Sequence, residues 1–104
     1  MHIIFLKFGP HRPQAGQRMD AHAQWIQQGI DDGVFLMAGS LDNAQGGAVL
    51  AMNMDSAQVK HRVELDPFVV HGIVTPEIYA VSPSRMAQGM AAVLSGTHSP
   101  LLAQ

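Results

Sequence analysis

One histidine and one aspartate of this chain have surroundings that suit proton chemistry. His22 falls in a segment with helical periodicity, and Asp66 stands directly before a proline in the run VELDPFVVHG. An imidazole, with an unperturbed pKa of about 6.5, can take and give a proton near neutral pH. A carboxylate beside it would orient the ring and favour its charged form. Such a pair suits proton abstraction next to a carbonyl, followed by elimination or isomerisation.

Three further residues share a flank of the helix that contains His22. At about 100° per residue, Arg18, Trp25 and Gly29 lie along that flank, at steps of four, three and seven from His22. They offer a cation, a flat aromatic ring and a gap without a side chain. We interpret this flank as one wall of a site for a small, aromatic or anionic ligand.

Each of these residues also has a plainer interpretation. His22 could be a half-exposed histidine on an ordinary helix, because no motif surrounds it. Asp66 before Pro67 is a good N-cap, which stabilises a helix by about 1 kcal/mol without any further role. Ser40 could be a small polar residue near a strand end.

Several classes of function are disfavoured by composition and motifs. The chain has no cysteine, and its six histidines form no HxH or HxxxH pair, so we expect neither a metal site nor a cofactor. Six Lys and Arg stand against eight acids, without a basic stripe for nucleic acid. The run IIFL is too short for a signal segment or a membrane span. We therefore expect a cytoplasmic protein that binds neither nucleic acid nor membrane.

Hydrophobic patterning predicts an α+β fold with the ferredoxin-like order βαββαβ. Ala15, Met19, Ala23, Ile26 and Ile30 recur at steps of three and four, which predicts that they form the buried face of the first helix. Turn residues separate the remaining elements. The predicted strands span 2–8, 34–41, 48–54 and 73–81, and the predicted helices span 14–32 and 55–64, with a short turn at 67–71.

The apolar residues of the strands predict that the chain pairs with a second copy of itself. The chain has 104 residues, of which 47% are apolar and 13% charged, more apolar residues than so small a core hides easily. Ile3 to Leu6 and Phe35 to Met37 are consecutive apolar runs rather than alternating ones. Both faces of the antiparallel sheet should therefore be covered, one by helices and the other by a second subunit. We predict a homodimer with its sheets packed face to face.

The last part of the chain lies outside this unit. We assign residues 1–82 to the domain and 83–104 to a C-terminal extension. Within the extension, SPSRMAQGMAAVL predicts a helix that is capped by Ser82 and begins at Pro83, and SGTHSPLLAQ predicts a loose end.

Three pieces of sequence, in order, resemble the YCII-related family of small dimeric α/β-barrel proteins. These are a histidine in the first helix, GVFLMAGSL on the next strand, and DPFVVHGIVTPEIYAV after the hairpin and second helix. The resemblance covers about residues 1–82. It implies that His22 and Asp66 form the active-site pair and that Ser40 lines the same cleft. The arginine often found three residues before the histidine is Met19 here, and Arg18 is one position further away.

The resemblance also suggests a class of reaction. One relative is a dehydrochlorinase that acts on a hydroxyquinone, and isomerases share the wider architecture. We therefore expect a cofactor-free acid–base enzyme of the lyase or isomerase type. Its catalytic residues would be His22 and Asp66, and its substrate would be bound by Ser40, Arg18 and Trp25. Two alternatives are a dimeric protein that binds a small molecule in the same cleft without catalysis, and a purely structural domain.

Overall fold

Four strands form one antiparallel sheet in the computed structural model, which describes residues 1–94. The order across the sheet is β2-β3-β1-β4, so the first strand is central and the last lies at an edge. This confirms the predicted α+β fold with a ferredoxin-like four-stranded sheet. The strands are β1 His2–Phe8, β2 Phe35–Ser40, β3 Gly46–Ala51 and β4 Val74–Ala80.

The first three helices pack on one face of this sheet, where the buried core lies, and the signals that bound them are local. Asp55 forms a capping box with Gln58, in which each side chain bonds the other residue's backbone N–H at 2.8 Å. Gly33 follows the first helix with φ 76°, and Gly72 follows the third with φ 65°, a conformation that glycine adopts without strain. The helices are α1 Ala15–Asp31, α2 Ser56–Glu64, α3 Pro67–Val70 and α4 Met90–Leu94.

The face of α1 that packs against the core differs from the predicted one. Of the five apolar residues expected to be buried, only Ala15 is buried, while Met19 is 47% exposed and Ile30 is 42% exposed. The other buried residues of the helix are Trp25 and Gly29, which lie on the flank predicted to bind a ligand. The prediction was wrong because it treated all apolar residues of the helix as equally able to determine its buried face. A single indole buries more surface than Met19 or Ile30, and it turns its own side of the helix towards the core.

A row of apolar side chains crosses the opposite face of the sheet. Ile4 and Leu6 are buried under the helices, so the alternating Ile3 and Phe5 lie on the other face. Ile3 pairs with Leu50 on β3 and with Tyr79 on β4. Met37, opposite Leu50, extends the row to β2 and is 49% exposed, and Tyr79 is 52% exposed. All four strands therefore contribute large apolar side chains to a face that no helix covers in the described residues.

In the described part of the extension, residues 83–94, only the last five residues are helical. We expected a helix that begins at Pro83, but the chain from Ser82 to Gly89 is irregular and the helix α4 begins at Met90. Gly89 has φ 90°, which a right-handed helix cannot contain, so a helix running from Pro83 through Met90 is ruled out. The predicted loose end at 95–104 lies outside the described residues. Within residues 1–94, no helix has the length and apolar character needed to cross a membrane.

Candidate active site

His22 and Asp66 form a short hydrogen bond between α1 and the start of α3. Nδ1 of His22 lies 2.7 Å from Oδ1 of Asp66, which is a charge-assisted bond length. The Asp66 side chain is fully buried, and that of His22 is 13% exposed. The two residues are 44 positions apart in the chain. The fold therefore brings together the two side chains that proton chemistry would need.

Local sequence fixes the direction of the Asp66 carboxylate. Asp66 has an extended conformation and is the N-cap of α3, and its Oδ1 accepts a bond of 3.0 Å from the backbone N–H of Phe68. Pro67 occupies the first helical position, where its fixed φ suits the turn. The same oxygen, Oδ1, accepts the bond from His22. Capping and histidine binding thus use one oxygen at the same time.

The other carboxylate oxygen is buried without a partner. Oδ2 of Asp66 is inaccessible to solvent and makes no hydrogen bond within the described part of the chain. A buried acceptor without a donor costs about 1–3 kcal/mol. The unpaired Oδ2 of Asp66 therefore lowers the stability of the folded chain.

The bond to Asp66 also determines which nitrogen of His22 carries a proton. An ionised carboxylate only accepts hydrogen bonds, so Nδ1 must donate. In the neutral imidazole, Nε2 then has a free lone pair and can act as a base. On one side, the ring lies parallel to that of Phe68, with 4.0 Å between centroids and 3° between planes. A hydrogen bond and a stacked ring together hold the imidazole in one orientation.

His22 faces a cleft of about 690 Å³ between α1 and the sheet. This volume falls in the range of pockets for small molecules, about 300–1,000 Å³. The cleft is bounded by α1, by the end of β2 and by the start of β3, and Phe68 forms part of its wall. Its lining is mostly apolar or small: Leu6, Phe8, Met19, Ala23, Ile26, Ala38, Gly39, Leu41, Ala44, Gly46, Gly47, Phe68 and Val74.

The structure places the three predicted substrate-binding residues in different surroundings. Ser40 lines the cleft together with His22, at the end of β2. Trp25 lies on the other side of α1, where its indole N–H donates to the backbone carbonyl of Arg62 at 3.0 Å. Arg18 is exposed and does not line the cleft. Of the three, only Ser40 is therefore in reach of a molecule bound beside His22.

The gap predicted at Gly29 is filled by the protein itself. A side-chain carbon at Gly29 would overlap the ring of Phe35, which also packs edge-on against Trp25 at 5.0 Å between centroids. Glycine is required there because strand β2 approaches α1 closely. The missing side chain thus serves helix-to-sheet packing and leaves no room for a ligand.

A second cavity lies where Trp25 faces α2. It measures about 780 Å³, and Asp32 and Arg62 form an ion pair of 3.0 Å on its wall. A hydrogen bond from Gln28, and then the bond from Arg62, lower the pKa of the Asp32 carboxyl below its ordinary value. His61, Asp32 and Asp55 also line this cavity, but among the described residues no hydrogen bond joins this histidine to a carboxylate, so we assign the chemistry to the first cleft.

The sequence analysis did not assign two residues of the cleft, Phe68 and Met19, to the site. Phe68 was predicted as part of a helical turn, and its contact with His22 follows only from how α1 and α3 pack. Met19 was assigned to the core, yet it lines the cleft and is 47% exposed. Its position three residues before His22, and so on the same helical face, is the signal that could have identified it.

Comparison with known proteins supports the fold. The structure is similar to that of 5-chloro-2-hydroxyhydroquinone dehydrochlorinase from Burkholderia phenoliruptrix AC1100, solved in complex with 2,5-dihydroxybenzoquinone. The TM-score is 0.64 at 18% sequence identity, over 80% of this chain and 94% of that one. No family model matches this chain, and no curated protein matches it. At this identity the likeness concerns the fold alone.

Proposed function

We propose that this chain is a cofactor-free acid–base enzyme, of the lyase or isomerase type, that acts on a small molecule in the His22 cleft. The observation that carries the proposal is the bond of 2.7 Å between His22 and a fully buried Asp66, at the wall of a cleft large enough for a ligand. Buried histidine–carboxylate pairs in clefts are typical of proton transfer sites. The structurally similar protein is named as a dehydrochlorinase, and membership of the YCII-related family is part of the proposal.

In the proposed step, Nε2 of His22 removes a proton from a carbon next to a carbonyl of the substrate. The electron pair of that C–H bond forms a double bond to the carbonyl carbon, while the π electron pair of the carbonyl moves onto its oxygen, from which it returns when the step is completed. In an elimination, a leaving group such as chloride departs with its own electron pair. In an isomerisation, the imidazolium returns the proton to another carbon. Asp66 keeps the ring in place and stabilises the imidazolium while it exists.

Proton abstraction can be tested before the substrate is known. Small carbonyl compounds and hydroxylated aromatics would be incubated with the protein in D₂O, and the replacement of carbon-bound hydrogen by deuterium would be followed by NMR. His22→Ala should lower the exchange rate by about 10²–10⁴-fold, the usual contribution of a general base. Asp66→Asn, which still accepts the two bonds at its oxygen but lacks the charge, should lower the rate less.

His61→Ala is the matched control, because His61 is an exposed histidine on α2 that does not line the cleft. It should exchange like the unmodified protein. Equal rates for the unmodified protein and His22→Ala would contradict the proposal. Saturable binding in the cleft without any exchange by the unmodified protein would instead support the alternative, a small-molecule-binding protein without catalysis.

The proposal includes a homodimer. The apolar row of Met37, Leu50, Ile3 and Tyr79 crosses the whole sheet on the face without helices. Large contiguous apolar patches are rare on the surface of soluble monomers. In a dimer with twofold symmetry, the apolar row of each copy packs against the same row of the other. Both rows would then be removed from water.

A further inference from the structure

Within residues 1–94, the lining of the His22 cleft contains no lysine, arginine, aspartate or glutamate. Among the described residues that line it, only His22 and Ser40 have a nitrogen or oxygen atom in the side chain. The remaining lining is aliphatic, aromatic or glycine. A ligand that enters this cleft must therefore exchange most of its contacts with water for contacts with apolar atoms.

The charge of Asp66, which does not line the cleft but is bonded to His22, adds to this preference. Asp66 is fully buried, and its Oδ2 has no hydrogen-bond partner in the described residues. While His22 is neutral and able to act as a base, the pair has the single negative charge of the carboxylate. An anionic ligand would lose its hydration in apolar surroundings, find no fixed cation and be repelled by Asp66.

Met19 occupies a position at which a positively charged side chain would instead favour anionic ligands. It lies one helical turn before His22, lines the cleft and is 47% exposed, so its end reaches the mouth of the cleft. A positive group at this position could meet a ligand carboxylate and remain partly in water. The thioether found there has no charge and only a weak acceptor.

We infer that the cleft selects uncharged, mostly apolar molecules of aromatic size, that Ser40 supplies the hydrogen-bonding side chain besides His22, and that Met19 sets the selection against anions. The inference rests on the proposed function in that it takes the same cleft as the substrate site. Arg18 led us to expect an aromatic or anionic ligand from the sequence. Because Arg18 does not line the cleft, we no longer expect an anionic one.

Benzamide and benzoate form a suitable pair of probes, because they have nearly the same shape and differ in charge. Binding would be followed by NMR through the backbone N–H signals of Ala38, Gly39 and Gly47, which line the cleft. The backbone N–H signals of Asn53 and Gln58, which line the second cavity and not the cleft, report binding elsewhere. We expect benzamide to bind about tenfold or more tightly than benzoate. Equal or tighter binding of benzoate, or no shift of the cleft signals with either probe, would overturn the inference.

Two variants test the assignment to Met19. Met19→Arg should lower the benzamide-to-benzoate affinity ratio by about tenfold or more. Arg18→Met, which removes an exposed cation outside the cleft, should leave the ratio unchanged. An unchanged ratio in Met19→Arg, or a changed one in Arg18→Met, would overturn the role of Met19. These measurements need no turnover, so a failure of catalysis and a failure of the charge selection are seen separately.

Discussion

The ring of Phe68 lies parallel to the imidazole of His22, with 4.0 Å between centroids and 3° between planes. The backbone N–H of the same Phe68 donates to Oδ1 of Asp66, the oxygen that also binds His22. One residue therefore contacts both members of the pair, its ring the base and its backbone the carboxylate. We regard Phe68 as a positioning residue for the proposed reaction.

Phe68→Leu removes the stacked ring and keeps the backbone donor. A parallel ring pair is worth about 0.5–1.5 kcal/mol, so kcat for proton exchange should fall roughly 2- to 10-fold. The NMR signals of the His22 ring should also shift and broaden as the ring gains freedom. Phe8→Leu is the control: Phe8 lines the cleft and should affect KM more than kcat. Unchanged ring signals in Phe68→Leu would contradict the positioning role.

A methyl group at Gly29 should destabilise the protein. The added carbon would overlap the ring of Phe35, and overpacking of this kind costs about 1–3 kcal/mol. Gly16 provides the comparison within the same helix, since nothing lies within 4 Å of a carbon added there. Gly16→Ala should stabilise α1 by up to about 1 kcal/mol. Urea unfolding of both variants measures the difference, and equal midpoints would contradict the close packing of α1 on β2.

The stability contributed by Asp32 should depend on pH. Its pKa is lowered in the folded protein, first by Gln28 and then by Arg62. The stabilisation by Asp32 is therefore fully present above the ordinary aspartate pKa, about 3.9. It is lost as the pH falls through the lower pKa that Asp32 has in the folded protein. Asp32→Asn should unfold at lower urea concentration than the unmodified protein near neutral pH, and the two midpoints should converge in acid. Gln28→Ala should reproduce part of the effect, whereas a difference that grows in acid would contradict the assignment.

A charge on the uncovered sheet face should separate the proposed dimer. Leu50→Lys places an ammonium in the middle of the apolar row and should yield a monomer in analytical ultracentrifugation. Val70→Lys is the matched control, because Val70 is 61% exposed and belongs to α3 on the helical side of the sheet. It should leave the assembly unchanged. A monomeric unmodified protein would contradict the proposed interface.

The sequence predicted the features that depend on neighbouring residues. Asp66 acts within one turn of chain as the predicted N-cap, and the strands and helices predicted within residues 1–82 were found within a few residues of their observed bounds. Their order along the chain followed from the hydrophobic patterning. Proximity of His22 and Asp66 was predicted from the resemblance, and the structure gives the distance, while their roles in a reaction stay predictions.

Hydrophobic periodicity could not predict the features that depend on residues far apart in the sequence. Trp25 was expected to face a ligand, but its position is set by the carbonyl of Arg62 on α2. The space at Gly29 was expected to be open, but Phe35 from β2 fills it. Helical spacing shows which residues share a side of α1, and it does not show which side the rest of the molecule covers.

Trp25 is the only tryptophan of the chain, and its ring lies 6.0 Å from that of His22, with 25° between the planes. An indole changes its emission when the groups packed around it change, and the His22 ring is one of these groups. Intrinsic fluorescence, read as a ligand enters the cleft, therefore reports changes around the candidate base without any label.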